Sequence, residues 1–195
     1  MGLYDVIDDI AEKQVMKTDT GDNRILGVVI GQIVKNYDKD MPGRVCVAVP
    51  VRDQSANELQ WVRVAMPSGG SGWGHYFLPE AGDQVLLAFE QGNIEKAYVI
   101  GCIPKDSDQI LKKSVDEDNQ YKKIVTRNGN TLYFEDNKEG DGEKDKIRIL
   151  TAQGGHRIEL DNEKKMILLS DQDGSNLIRM KTEDGQMEIT AQKKL

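Results

Sequence analysis

From Thr126 onward the chain alternates apolar and polar residues in short runs, and each run is separated from the next by a Gly- or Asp-containing turn. Cutting before a hydroxyl residue gives repeating units: TRNGNTLYFEDNKEGDGEKDKIRIL from Thr126, TAQGGHRIELDNEKKMILL from Thr151, SDQDGSNLIRMKTEDGQMEI from Ser170, then TAQKKL from Thr190. Each of the first three units carries a hydroxyl residue, polar residues, a glycine, an alternating run, an acidic or polar turn and a second alternating run. Alternation at period two predicts half-buried strands. The residues on the inward parity are Leu132 and Phe134, Ile147 and Ile149, Ile158 and Leu160, Ile167 and Leu169, Ile178 and Met180, Met187 and Ile189.

Two or three aliphatic side chains per strand bury too little surface to offset the entropy of ordering each unit within a single chain. The remaining partner is another copy of the same sequence. Three chains wound about a common axis would bring Ile147, Ile149, Ile158, Leu160, Ile167, Leu169, Ile178, Met180, Met187 and Ile189 into one central column and leave the charged parity facing water. The pattern therefore predicts a trimeric intertwined β-helix, or β-prism.

The first half has another texture. Leu3, Val6, Ile7 and Ile10 stand at i, i+3, i+4 and i+7, predicting a short amphipathic helix in residues 1–20. Strand-like runs follow at residues 25–34, 44–51, 59–66, 75–78, 84–89 and 97–103, punctuated by Pro and Gly, as in a small closed barrel. Trp61, Phe77 and Phe89 are the expected large core pieces. Gly43 and Gly82 suit turns, Gly101 suits a close backbone approach, and Cys46 and Cys102 read as buried, reduced thiols.

Composition sharpens this division. All five prolines lie between Pro42 and Pro104, whereas residues 135–195 contain no Phe, Trp, Tyr, Pro, Cys or Val. Only 12 of those last 61 residues are Leu or Ile, a level at which a lone chain stays disordered unless a partner completes its core. The formal charge is -7. Residues 1–104 hold 9 Lys and Arg against 14 Asp and Glu, and the rest hold 17 against 19. Neither half has a basic excess, which disfavours nucleic acid as a partner. No apolar run is long enough to span a bilayer, and the start MGLYDVIDDIAEK carries carboxylates where a secretory signal has a basic end.

Pro42-Gly43-Arg44-Val45 with Val47 and Pro50, Trp61-Val62-Arg63-Val64-Ala65 with Pro67, Gly72-Trp73-Gly74, Phe77-Leu78-Pro79-Glu80 with Gly82-Asp83-Gln84-Val85, Phe89 with Gly92, and Val99-Ile100-Gly101 occur in this order. The series resembles the OB-fold domain of contractile-tail spike proteins, phage baseplate assembly protein V and VgrG. The glycine-containing units from Thr126 resemble the β-helix of such spikes. The resemblance implies an all-β chain: an N-terminal helical segment (1–20), an OB-fold barrel (21–104), a linker (105–123) and a trimeric β-helix needle (124–195). It implies a structural spike of a phage tail, bacteriocin or injection system that joins tail tube, hub and baseplate proteins to a piercing tip and meets a membrane only on puncture. It also implies a PAAR-type tip protein, expected to bind through Ala191, Gln192, Lys193, Lys194 and Leu195. Such a protein is made in a bacterial cytoplasm without a signal peptide and assembled into a particle that can be released.

Readings from other classes carry less. Gly69-Gly70-Ser71-Gly72 lacks the Lys-Ser/Thr pair of a phosphate loop, and no Gly-x-Ser-x-Gly elbow is present. His75 and His156 have no His or Cys neighbour at ligand spacing, although His156 shares the parity of Ile158 and a threefold axis could gather three copies around an ion. No room is left for a muralytic domain between barrel and needle. The reading is a non-enzymatic protein without cofactor or metal. The alternatives are an OB-fold module binding single-stranded nucleic acid or oligosaccharide, and a cell-wall hydrolase whose site the sequence does not reveal.

Overall fold

The computed structural model describes residues 24–25, 27–49 and 58–193. The expected helix of residues 1–20, and Pro50 of the barrel motif, lie outside the described residues. Two compact units divide at Lys105 and Asp106.

The first unit is a closed five-stranded barrel. Its strands are β1 (Val28–Lys35), β2 (Arg44–Ala48), β3 (Glu58–Val64), β6 (Gln84–Phe89) and β7 (Ala97–Cys102), and two short strands, β4 (Gly69–Gly70) and β5 (Trp73–Gly74), form a separate ribbon. The barrel order is β1-β2-β3-β7-β6, closed by the parallel pair β3–β7 and the antiparallel pair β1–β6. Period-two alternation sends Val85, Leu87 and Phe89 of β6 inward, with Gln84, Leu86 and Ala88 between them less buried. Ile33, Val45, Val47, Val49, Leu59, Val62, Ile94, Ala97 and Val99 complete the core. Register shifts in the β1–β2, β2–β3 and β6–β7 pairs mark bulges, which supply the curvature a small barrel needs.

Several barrel expectations are corrected. Residues 75–78 form no strand, and Phe77 is 56% exposed instead of buried. Trp61 is half-buried, with a positive φ of 55°. Cys102 is exposed, whereas Cys46 is buried as expected. The close backbone approach falls at Gly31 and not at Gly101. A β carbon on Gly31 would meet Val47 Cγ1 at 2.5 Å, and one on Gly101 would meet nothing within 4 Å. Phe89 is in the core, and Gly43 and Gly82 take positive φ in turns.

The second unit begins with a one-turn helix, α1 (Gln109–Lys112), and continues as seven strands: β8 (Tyr121–Val125), β9 (Thr131–Glu135), β10 (Lys146–Leu150), β11 (His156–Asp161), β12 (Met166–Asp171), β13 (Leu177–Lys181) and β14 (Gln186–Thr190). These pair in sequence order as one antiparallel meander with β8 and β14 at its edges. β8 starts at Tyr121, inside the segment expected to be linker. Every inward-parity residue named from sequence lies on one of these strands. Leu168, 2% exposed, is the one apolar side chain of this unit that is fully buried among the described residues.

Candidate assembly face

Cross-strand register turns the meander into two ladders on opposite faces. On one face, Ile124 of β8 pairs with Leu132, Leu132 with Ile149, Ile149 with Ile158, Ile158 with Leu169, Leu169 with Ile178, and Ile178 with Ile189. A second row beside it runs Phe134, Ile147, Leu160, Ile167, Met180, Met187. All ten residues expected to form the trimer column therefore share one face of one sheet. This face is open: Ile149 is 49% exposed, Leu160 40%, Met187 62% and Ile189 50%. A shallow cavity of about 490 Å³ lies along the first row, lined by Ile149, Ile158, Leu169, Ile178 and Ile189.

Polar residues bound the apolar rows at the turn end. Thr151, His156, Asp171 and Asn176 share their parity, and each is used locally. His156 N–H donates to Thr151 Oγ1 at 2.6 Å, and the backbone amide of Asn176 donates to the Asp171 carboxylate at 3.1 Å. The Asn176 bonds hold the Asp171 carboxyl below the usual aspartate range. Asp171 stands opposite His156. Among the described residues, no group of three His, Cys, Asp or Glu side chains is arranged to hold a metal ion.

The opposite face holds most of its charged groups in ion pairs or hydrogen bonds within the chain. Here the register gives Lys123, Tyr133, Arg148, Glu159, Leu168, Arg179, Glu188 across β8 to β14. Lys123 Nζ lies 5.3 Å from the Tyr133 ring centroid and Arg148 Cζ lies 5.6 Å from it. Tyr121 stacks on Tyr133 at 5.6 Å. Arg148 reaches Glu159 at 3.2 Å and Glu135 at 3.5 Å, Lys146 reaches Glu163 at 2.9 Å, and Arg179 reaches Glu188 at 2.9 Å. Desolvation, with Glu135 and Tyr121 nearby, pushes the Tyr133 phenol up to about 12. The charged parity was expected simply to face water, yet Glu159 and Asp161 are buried, 6% and 2% exposed. Adjacent strands flank them, and Arg148 and Lys164 neutralise them.

Sequence reading missed Ile124, because the repeat was traced only from Thr126. It also missed the polar ladder. Its signal is the placing of opposite charges on neighbouring strands, which becomes visible only once the turn lengths fix the register. Of the residues expected to bind a tip protein, Ala191, Gln192 and Lys193 follow β14 directly, and the Gln192 amide donates to Asn176 Oδ1 at 3.1 Å. Lys194 and Leu195 lie outside the described residues.

Residues 29–103, which span the barrel from β1 to the end of β7, match the family model described as the Type VI secretion system/phage-baseplate injector OB domain. This chain carries an injector OB domain. No curated protein matches the chain. The match covers the closed barrel and its bulged strands, and it points to a structural baseplate component of a phage or Type VI secretion system. Such components work by interaction with other baseplate and tail proteins. The two ladders lie beyond the matched residues, so their role rests on their own geometry.

Proposed function

We propose that the protein is the central spike of a contractile tail-like particle, in which three copies pack their aliphatic ladders around one axis. The observation that carries this reading is the asymmetry of the seven-stranded sheet. One face holds most of its charges in ion pairs within the chain, and the other carries two continuous apolar rows that are largely open to water. Burying apolar surface is worth about 25 cal/mol per Å², so rows of this length drive association strongly. A single chain has one fully buried apolar residue in this unit among those described, whereas three chains supply each ladder with facing aliphatics. Closed threefold packing uses the face completely and leaves nothing for open-ended aggregation.

In this reading the injector OB domain is the adaptor to tube, hub and baseplate, and the seven strands form a needle about 30 Å long at the usual strand spacing. The edge strand β14 is exposed along its length and offers unpaired backbone groups of the kind proteins normally cover. A PAAR-type tip protein covers that edge, contacting Ala191 to Leu195, and the assembly meets a target membrane on puncture.

Complementation tests the assignment in a producing cell that lacks this gene. The wild-type chain restores assembled particles that carry it at the distal end of the tube, seen by immunogold electron microscopy, and Ile158→Asp does not. Fully assembled particles that lack the protein, or normal particles built with the Asp variant, would overturn the reading.

A further inference from the structure

Between Arg63 and Glu80 the chain runs for 16 residues without Lys, Arg, Asp or Glu, although 30% of the protein is charged. This stretch holds the ribbon that the barrel sheet leaves out. β4 and β5 pair only with each other, through Gly69–Gly74 and Gly70–Trp73. The coil that follows carries His75, Tyr76 and Phe77, and Leu78 then packs against the barrel core. Trp73 is 67% exposed, Tyr76 70% and Phe77 56%. Three large rings left in water within five residues mark a contact surface, since scattered core aromatics are buried in small barrels and clustered exposed ones serve recognition.

The ribbon is preformed. A β carbon on Gly70 would lie 2.5 Å from the Trp73 indole nitrogen, so the ring rests against the Gly70 backbone and still keeps most of its surface open. Gly74 takes φ 139° and passes Gly69 so closely that a β carbon would meet its Cα at 2.6 Å. At the base, the His75 amide donates to the Ser68 carbonyl at 2.9 Å, and Ser68 Oγ is hydrogen-bonded to His75 Nδ1 at 2.8 Å. Little conformational entropy remains for the Trp73 ring to lose when a ligand settles on it.

We infer that Trp73 on the ribbon, with Tyr76 and Phe77 on the coil that follows it, forms a binding platform for a neutral oligosaccharide of pyranose rings. The apolar C–H face of a pyranose matches a supported aromatic ring, whose face carries negative electrostatic potential. Its hydroxyls need donors and acceptors, and with Ser68 Oγ and His75 Nδ1 bonded to each other the exposed His75 keeps Nε2 for that role. Single-stranded nucleic acid also stacks on aromatics, but it takes much of its affinity from Lys and Arg along the backbone, and this stretch has none. OB-folds are known to bind sugars through their loops. The inference concerns the barrel unit and does not depend on trimer formation.

The full-length protein is titrated with cellohexaose and with the hexasaccharide of β-1,4-linked N-acetylglucosamine, followed by calorimetry and tryptophan fluorescence. At least one sugar binds saturably, with an affinity that is unchanged between about 50 and 500 mM salt. Trp73→Ala weakens it at least tenfold, and Trp73→Phe, which keeps a ring, weakens it less. Tyr76→Ser is a second variant that leaves the ribbon backbone untouched. Circular dichroism checks that each variant keeps the wild-type fold. Failure of both sugars to bind, unchanged affinity in folded Trp73→Ala and Tyr76→Ser, or binding only to phosphatidylcholine vesicles or to oligothymidylate would overturn the inference.

Discussion

Ile158 on β11 stands directly opposite Leu169 on β12, and both side chains are open to solvent, 37% and 40% exposed. Their backbone neighbours Glu159 and Leu168, also paired, point to the other face and are buried, 6% and 2% exposed. One residue of register thus separates the satisfied face from the unsatisfied one, because successive side chains of a strand alternate between faces.

The polar ladder predicts a stability effect without an assembly effect. The Glu159 side chain is 8% exposed and holds Arg148 at 3.2 Å. Glu159→Ala leaves the Arg148 guanidinium with Glu135 and the Tyr133 ring and costs about 2 to 3 kcal/mol. Chemical denaturation measures the loss, and the native mass stays that of the wild type because the residue lies on the face away from the aliphatic rows.

Alkaline stability carries the mark of Tyr133. Its phenol titrates at about 12 in the fold against an ordinary 10.0, so the native state keeps a proton that the unfolded chain gives up. A raised value contributes stability that is complete below pH 10 and is lost as pH rises towards about 12. Lys146, raised chiefly by its hydrogen bond with Glu163, falls away in the same direction above its ordinary 10.5. Glu163, lowered by Lys146, acts oppositely: its contribution is complete above 4.5 and is lost as pH falls below that value. Melting temperature against pH is expected to be level between pH 4.5 and 9, above which the Cys102 thiol, raised by burial and by Asp83, begins the decline, and Tyr133→Phe is expected to flatten the decline between pH 10 and 12.

In the barrel, two glycines with similar sequence context should behave differently. Gly31→Ala forces a methyl group against Val47 Cγ1 at 2.5 Å and the Ala48 carbonyl at 3.0 Å, an overpacking cost of about 1 to 3 kcal/mol. Gly101→Ala meets open space and leaves the melting temperature within a degree or two of wild type. Equal effects at the two sites would contradict the register of β1 on β2.

The apolar face was legible in the sequence because on β10 and β11 a charged residue separates its side chains, so the parity of Ile147 and Ile149 or Ile158 and Leu160 could be read without knowing what they touch. The barrel was legible through its order of Pro, Gly and aromatic residues. Phe77 was not, because a ring near a core strand reads alike whether it points inward or outward. The structure shows that the glycines of Gly69–Gly70 and Trp73–Gly74 divert the chain into a ribbon, which carries Phe77 away from the barrel interior. Lys123, Arg148 and Glu159 looked like unrelated surface charges until the turn between β9 and β10 set them in one row. Gly101 lies between Ile100 and Cys102 and so suited a close approach in the sequence, whereas the crowding at Gly31 follows from which strand crosses behind the backbone.

The most direct measurement is the native mass of the full chain, taken by light scattering after size exclusion, for wild type and Ile158→Asp. The wild-type particle is expected to have about three times the 21.8 kDa chain mass, and the variant no longer forms it, because three carboxylates would be desolvated together near the axis. A folded, soluble wild-type monomer, or an Asp variant that keeps the trimer mass, would contradict it.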